Sequence, residues 1–247
     1  MANLALTYGD VYKRVSEFLR ISSNPLGTDL TLVQDITKRA YREFLYPVHP
    51  ESGLLHTWSF LRSRGTIRTK VGEYLYPLPS NFVTILSSPK LINGEGKMNP
   101  EYVDVTKWMG LRTTSVATGT PEYYCVDIGE YHPETGQLHD VKFWYTPDAV
   151  YDYTYYYVFE PEAPTLSTDY FVGGIAAAEV IQQMAVGIAE SQEDENDGEQ
   201  QNKASRMLAA YMLWDKAYAM NAFGPGWDDA RQVTRPLDRA GEVTDVS

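Results

Sequence analysis

The sequence predicts an α+β protein: a helical bundle formed by N-terminal and C-terminal helices, with an inserted antiparallel β region and an extended C-terminal tail. Three observations support this prediction. Apolar residues recur at helical spacing near both ends of the chain. In the middle, apolar and polar residues alternate with the period of 2 that is typical of strands. Beyond residue 223 the apolar residues follow neither period. The predicted domains are 1–57 (helical hairpin), 58–165 (antiparallel β domain), 166–223 (helix pair completing the bundle) and 224–247 (extended arm).

Two amphipathic helices are predicted at the start of the chain. The first covers 7–22, where Thr7 and Asp10 have the spacing of a capping pair, and the second covers 28–46, where Pro47 stops it. Their apolar stripes are Val11, Val15, Phe18 and Leu19 in the first helix, and Leu32, Val33, Ile36, Ala40 and Phe44 in the second. Each stripe needs a partner, so we expect the two helices to pack against each other or a third element.

The spacing of the apolar residues changes after residue 57, from the helical period of 3.6 residues to the period of 2 that is typical of strands. Strands are expected within 58–71 and at 74–78, 82–86, 101–105, 122–128, 138–146 and 151–159. Turn sequences rich in Gly, Pro and Asn separate these segments, which indicates antiparallel pairing. One short helical turn is expected at 106–112.

Four basic side chains alternate along the first extended segment. Arg62, Arg64, Arg68 and Lys70 share one face of it, and Leu61, Ile67 and Val71 take the other. We predict that this basic strand face contacts an acidic neighbour or DNA. A solvated strand face without a partner is the alternative.

Helical periodicity returns in the last third of the chain. A helix over 169–190 is rich in Gly and Ala, which permits close helix–helix approach, so we expect it to be the central element of the bundle. A second helix is predicted over 201–222. Six of the eleven residues at 190–200 are acidic, which predicts an exposed loop between the two helices.

Composition excludes several classes of function. The formal net charge of -12 argues against a protein that carries nucleic acid wrapped around its outside, because affinity for phosphate comes from Lys and Arg.

The 19 tyrosines suit half-buried sheet faces and subunit interfaces, which favours an oligomer. The single cysteine, Cys125, cannot form an intrachain disulfide, which fits folding in a reducing cytoplasm. Neither a signal peptide nor a membrane contact is predicted.

No residue is predicted to be catalytic, and no metal or cofactor is expected. The sequence lacks a P-loop, a dinucleotide-binding glycine fingerprint, a nucleophile-elbow serine and a His-Glu-x-x-His motif. His132 and His139 flank a turn, but two histidines do not define a metal geometry. Cys125 is expected to be a buried thiol, and the acidic segment 193–198 lacks the glutamate that completes a calcium loop.

Two other classes of function stay open at this point. A carbohydrate- or protein-binding β module would use exposed tyrosines as stacking platforms. A hydrolase with a dispersed active site would leave no local motif.

Four motifs follow one another in an informative order. They are Trp58-x-Phe60-Leu61, the stretch Gly72–Phe82 with Tyr76, Leu78 and Pro79, the strand Gly119-Thr120-Pro121-Glu122-Tyr123-Tyr124, and the turn Tyr145-Thr146-Pro147-Asp148. An alanine-rich helix pair closes the series. With these motifs in this order over most of 7–222, the chain resembles the head-to-tail adaptor (connector) proteins of tailed bacteriophages, particularly short-tailed ones.

The resemblance implies a structural virion protein that is not an enzyme. Its relatives assemble, typically as twelve-fold rings, beneath the portal protein, where they extend the DNA channel and offer a platform to a tail tube or nozzle protein. The implied location is the head–tail interface of the virion, after folding in the host cytoplasm, and DNA passes without sequence-specific binding. The C-terminal arm of this family docks between portal subunits. The resemblance therefore implies a portal-binding arm with Trp227, Arg231, Val233, Arg235 and Leu237.

Overall fold

The computed structural model describes residues 4–48, 53, 55–92, 99–134, 136–193 and 198–223. The α-helices in this part of the chain are α1 (Tyr8–Phe18), α2 (Thr28–Leu45), α3 (Val105–Thr114), α4 (Gly174–Glu193) and α5 (Glu199–Phe223), and a short 3-10 helix covers Ser59–Leu61. The strands are β1 (Arg62–Arg68), β2 (Leu75–Pro77), β3 (Phe82–Leu91), β4 (Glu101–Tyr102), β5 (Thr118–Gly119), β6 (Tyr123–His132), β7 (Gly136–Trp144), β8 (Thr146–Pro147) and β9 (Asp152–Phe159).

The chain divides into two compact units. The helical unit combines Met1–Phe60 with Pro161–Pro225 and contains α1, α2, α4 and α5. The β unit is built from Leu61–Glu160 and contains the nine strands together with α3.

Local hydrogen bonds determine both ends of α1. The Thr7 hydroxyl accepts a hydrogen bond from the Asp10 N–H, and the Asp10 carboxylate accepts one from the Thr7 N–H, so the predicted capping pair is a complete capping box. At the other end, Arg20 adopts a left-handed conformation with φ 54°. The Arg20 N–H donates a hydrogen bond to the Glu17 carbonyl, and the Ile21 N–H donates one to the Ser16 carbonyl. These two bonds end the helix in a Schellman motif.

The helices of the helical unit pack through α4, which contacts α1, α2 and α5. Its small side chains permit this, as predicted for the Gly- and Ala-rich segment. A Cβ atom added at Gly187 would lie 2.6 Å from the Gln201 side chain and 3.0 Å from its Cα, so α5 begins in close contact with α4 at this point. Ala177, Ala185 and Ala189 are fully buried on the same helix.

The β unit contains three sheets among the described residues. Their strand orders are β1-β9-β3, β2-β7-β6-β4 and β5-β8. The first two sheets share one hydrophobic cluster, which contains Ile67, Phe82, Tyr153, Tyr155 and Tyr157 from the first sheet and Tyr76, Tyr124, Val141 and Phe143 from the second. Aromatic rings fill the space between the sheets, so many of the tyrosines are core residues.

The predicted fold class is wrong. The described residues form a mixed α/β structure with five helices and three sheets, not a helical bundle that carries an antiparallel β insertion. The strands have hydrophobic clusters of their own, and β4–β6 and β5–β8 pair in parallel. The alternating segments contain enough large aromatic side chains to close a separate core, a property that periodicity alone does not reveal. The predicted tail at 224–247 lies outside the described residues.

The region after β4 also differs from the prediction. The strand expected at 101–105 is reduced to two residues, and the single helical turn expected at 106–112 is the ten-residue helix α3. Asp104 explains the change, because its carboxylate accepts a hydrogen bond from the Lys107 N–H and caps the helix. Trp108 anchors α3 against β6 in a cluster with Val103 and Cys125.

Candidate interaction surfaces

The basic side chains of β1 lie on the outer face of the first sheet. β1 pairs antiparallel with β9, with Arg64 opposite Tyr156 and Arg68 opposite Asp152. The alternate residues face the core. A Cβ atom at Gly65 would lie 2.3 Å from the buried Tyr155 ring, so only glycine leaves room for this ring. The register therefore places Arg62, Arg64 and Arg68 on one face of the sheet.

A fourth cation on this face comes from a different strand than predicted. Lys70 lies beyond the end of β1 and forms an exposed ion pair with Glu73 at 3.3 Å. Lys90 of β3 pairs with Thr154 of β9, which puts it on the outer face. We call Arg62, Arg64, Arg68, Lys90 and the half-exposed Tyr156 the basic sheet face.

Contacts within the basic sheet face are weak. The Arg64 guanidinium donates a hydrogen bond to the Thr154 hydroxyl at 3.4 Å. Arg68 and Asp152 approach to 3.9 Å with 75% and 45% of their side chains exposed. Exposed pairs of this kind contribute about 0–1 kcal/mol, so Arg64 and Arg68 remain available to a partner. The prediction that they contact an acidic neighbour or DNA stays a prediction.

Two other cations in the described part of the β unit, Arg112 and Lys142, are engaged within the unit. The Arg112 guanidinium lies 3.6 Å from the centre of the Tyr74 ring, and the Lys142 ammonium lies 5.5 Å from the Trp108 ring. Lys142 also donates a hydrogen bond to the Asp127 carboxylate, which lowers the pKa of Asp127 and raises that of Lys142. Cys125 is buried beside them, and burial raises the pKa of its thiol to about 12, so the thiol stays protonated at neutral pH.

The hairpin of β6 and β7 extends beyond its neighbours. Among the described strands, β4 pairs with β6 only at Tyr123 and Tyr124, and β2 pairs with β7 only from Asp140 to Lys142. The outer part of the hairpin therefore has no further strand beside it in the described chain. We call four of its exposed residues, Ile128, Glu130, Tyr131 and Glu134, the hairpin tip; Ile128 is 70% exposed and Tyr131 66%.

The two histidines of this hairpin do not form a pair. His132 lies opposite Gly136 and His139 lies opposite Ile128, so the imidazoles occupy different cross-strand positions. The His139 ring packs against Phe82 with centroids 5.3 Å apart. The described residues contain no group of three or more His, Cys, Asp or Glu side chains that could hold a metal ion.

A row of stacked aromatic rings marks the surface of α5. The ring centroids of Tyr211 and Trp214 are 5.5 Å apart, and those of Trp214 and Tyr218 are 5.6 Å apart. Tyr211 is buried, but 55% of Trp214 and 51% of Tyr218 are exposed. Exposed tryptophan and tyrosine are enriched at the energetic centres of protein interfaces, so this row is suited to protein–protein contact.

A buried carboxylate lies beneath this row. Asp215 accepts hydrogen bonds from the Ser59 N–H at 3.1 Å and the Ser59 hydroxyl at 2.5 Å, and its other contact is His56 Nε2 at 3.0 Å. The serine hydroxyl thus bonds to the carboxylate, whereas a catalytic serine bonds to the imidazole. This cluster is arranged to hold the segment before β1 against α5. Sequence patterns did not reveal it, because Asp215 is 156 positions from Ser59.

Several predicted features lie outside the described residues. They are the portal-binding arm with Trp227, Arg231, Val233, Arg235 and Leu237, and most of the acidic segment at 193–198. Within the described helices, none combines the length and the apolar character that a membrane span requires.

The sequence is similar to a known protein family. The family model described as SU10 adaptor protein matches residues 6–240, which covers nearly the whole chain. No curated protein matches the sequence.

Proposed function

The chain belongs to the SU10 adaptor protein family, and we propose on that basis that it forms a ring joining the portal to the tail of a bacteriophage virion. Membership confirms the resemblance to head-to-tail adaptors that the order of the sequence motifs predicted. It also makes the chain a structural component of the virion. The ring, its position and its partners are the proposal.

The match over residues 6–240 is the observation that carries this proposal, because it includes the helical unit, the β unit and most of the arm. The surfaces described above are suited to assembly. The aromatic row of α5 and the hairpin tip expose large apolar side chains, and the basic sheet face exposes Arg64, Arg68 and Lys90. Ring subunits need such surfaces for two neighbours in the ring and for a partner above and below.

Each partner has a proposed place in this assembly. The ring is twelve-fold and lies at the head–tail interface, with the portal on one side and a tail tube or nozzle protein on the other. The arm at 224–247 binds the portal through Trp227, Arg231, Val233, Arg235 and Leu237. DNA passes through the ring without sequence-specific contacts, since a wall of net charge -12 per subunit makes few phosphate contacts.

Native mass spectrometry of the purified protein, alone and with purified portal, tests the proposal. We expect a closed ring in at least one of the two samples and a portal–adaptor complex in the second. Electron microscopy of virions should then place the protein between portal and tail. Monomers in both samples, or density only in fibres or capsid decorations, would contradict the proposed function.

A further inference from the structure

The charges of the β unit are separated between its two larger sheets. The basic sheet face presents Arg62, Arg64, Arg68 and Lys90 with Asp152 as the one carboxylate among its described cross-strand partners. The second sheet presents its exposed carboxylates along β4 and the β6–β7 hairpin, at Glu101, Glu122, Glu130 and Glu134. Among the described residues, none of these four carboxylates belongs to an ion pair. One chain therefore carries two exposed patches of opposite charge.

The hairpin tip has the composition of a docking element. Glu130 and Glu134 provide negative charge, and Ile128 and Tyr131 provide apolar surface that is left in water in the single chain. On the other sheet, Tyr156 offers a half-exposed ring between Arg64 of β1 and Ser87 of β3, its two cross-strand neighbours. Apolar contact at the centre with charge pairs around it is the usual anatomy of a specific interface.

We propose that the hairpin tip of one subunit docks on the basic sheet face of the next subunit. The two patches lie on different sheets of the same unit, so the contact joins two different surfaces of identical chains. A contact of this heterologous type closes into a ring when its rotation permits. The inference rests on the proposed ring and identifies which surfaces hold neighbouring subunits together.

Charge complementarity decides in favour of a second copy. The other cations of the described second sheet and α3 are held over aromatic rings or paired with carboxylates, as Lys142 is with Asp127. Arg64, Arg68 and Lys90 of the basic sheet face are exposed, and within the described β unit they are the cations that we assign to this contact. The same chain carries unpaired carboxylates on an extended hairpin that can reach a neighbour.

Charge reversal at both patches tests the contact. The variant R64E/K90E should lose the ring species at protein concentrations where the wild type is fully assembled, because like charges then face each other. The variant E130R/E134R should lose it as well. All four substitutions together restore opposite charges and should restore the ring. The control K203E/R206E changes the net charge by the same amount as R64E/K90E, but on exposed residues of α5. It should assemble like the wild type.

Native mass spectrometry with purified portal present gives the readout, and circular dichroism checks that each variant is folded. A ring formed by R64E/K90E as readily as by the wild type would overturn the contact while leaving the proposed function intact. If R64E/K90E forms a normal ring but virions that carry it retain DNA less well, the basic sheet face contacts DNA and the subunit contact is also overturned. Failure of the fourfold variant to restore assembly, with both double variants folded, would also overturn the contact. Absence of any wild-type ring would count against the proposed function itself.

Discussion

Asp215 bonds to Ser59 and His56 inside the helical unit. Among the described residues it is the only ionisable side chain of the Asp, Glu, Lys and Arg types that is fully buried, with 1% exposure. Its oxygens are satisfied by Ser59 and His56, and the neighbouring Trp58 is fully buried with its indole N–H bonded to the Phe44 carbonyl. The segment that leads into β1 is therefore held to α2 through Trp58 and to α5 through Asp215.

Removal of the Asp215 carboxylate should destabilise the protein strongly. In Asp215→Ala the Ser59 N–H and hydroxyl lose their acceptor inside the protein, so we expect the free energy of unfolding to fall by about 2–4 kcal/mol. Urea denaturation followed by circular dichroism measures the change. The control Glu162→Ala removes an exposed carboxylate and should change the free energy by less than about 0.5 kcal/mol. Equal effects of the two substitutions would show that the cluster adds nothing to stability.

Buried tyrosines predict how stability depends on alkaline pH. Burial raises the pKa of Tyr8, Tyr124, Tyr155 and Tyr211 from 10.0 to about 12. Their folded-state pKa lies above the unfolded value, so the stabilisation is fully present below pH 10 and is lost as pH rises from 10 to 12. The urea midpoint should therefore fall steeply between pH 10 and 11. Tyr155→Phe removes one titrating group and should make this fall shallower; an unchanged pH dependence would contradict the assignment.

At the scale of elements, the pairing of β1 with β9 organises the basic sheet face. Gly65 lies opposite Tyr155, and the tyrosine ring occupies the space that any larger side chain would need. This contact fixes which residues of β1 face the core. A shift of the register by one residue would turn the arginines inward.

Gly65→Ala tests this register directly. The added methyl group would overlap the buried Tyr155 ring, so we expect the free energy of unfolding to fall by about 1–3 kcal/mol. Gly110 gives a control of opposite sign, because it lies within α3 and a Cβ atom there meets nothing within 4 Å. Gly110→Ala should stabilise the protein by about 0.5–1 kcal/mol through helix propensity. A tolerated Gly65→Ala would mean that Tyr155 does not occupy this position.

Local patterns predicted the elements better than their arrangement. The capping pair Thr7 and Asp10, the stop at Pro47 and the face shared by Arg62, Arg64 and Arg68 all depend on neighbours within a few positions. Pairing between distant strands does not depend on such neighbours. The sequence therefore did not predict that β9 lies between β1 and β3, that two strand pairs are parallel, or that Lys90 joins the basic sheet face. Asp215 was missed for the same reason.

At the scale of the whole molecule, charge and aromatic side chains are divided between folding and assembly. Many tyrosines of the β unit close its core, and the exposed aromatic residues of α5 and the hairpin tip remain for partners. The charges show a similar division between cations held over aromatic rings and cations on the basic sheet face. A structural subunit of a virion needs aromatic and charged side chains both for its own core and for contacts with neighbours, since it must fold and then assemble.

The arm at 224–247 provides a prediction about the whole molecule. α5 ends at Phe223, and its buried side chains Tyr211, Asp215 and Ala219 precede the arm. Because Tyr211 and Asp215 bond to Gly173 and Ser59 within the described helical unit, a chain that ends at residue 223 should remain soluble and folded. It should fail to attach to the portal, since the proposed portal contacts from Trp227 to Leu237 are removed.

Co-sedimentation of the truncated protein with purified portal measures attachment, and circular dichroism measures folding. Ordering of an arm costs on the order of 1–2 kcal/mol of backbone entropy per residue, so its side-chain contacts have to be specific to offset that cost. A variant with residues 224–247 in scrambled order keeps length and charge but loses those contacts, and it should also fail to attach. In the proposed ring many arms act together, so the wild type should bind much more tightly than a single arm peptide. Normal attachment of the truncated chain would remove the portal-binding role of the arm and leave portal contact to the described units.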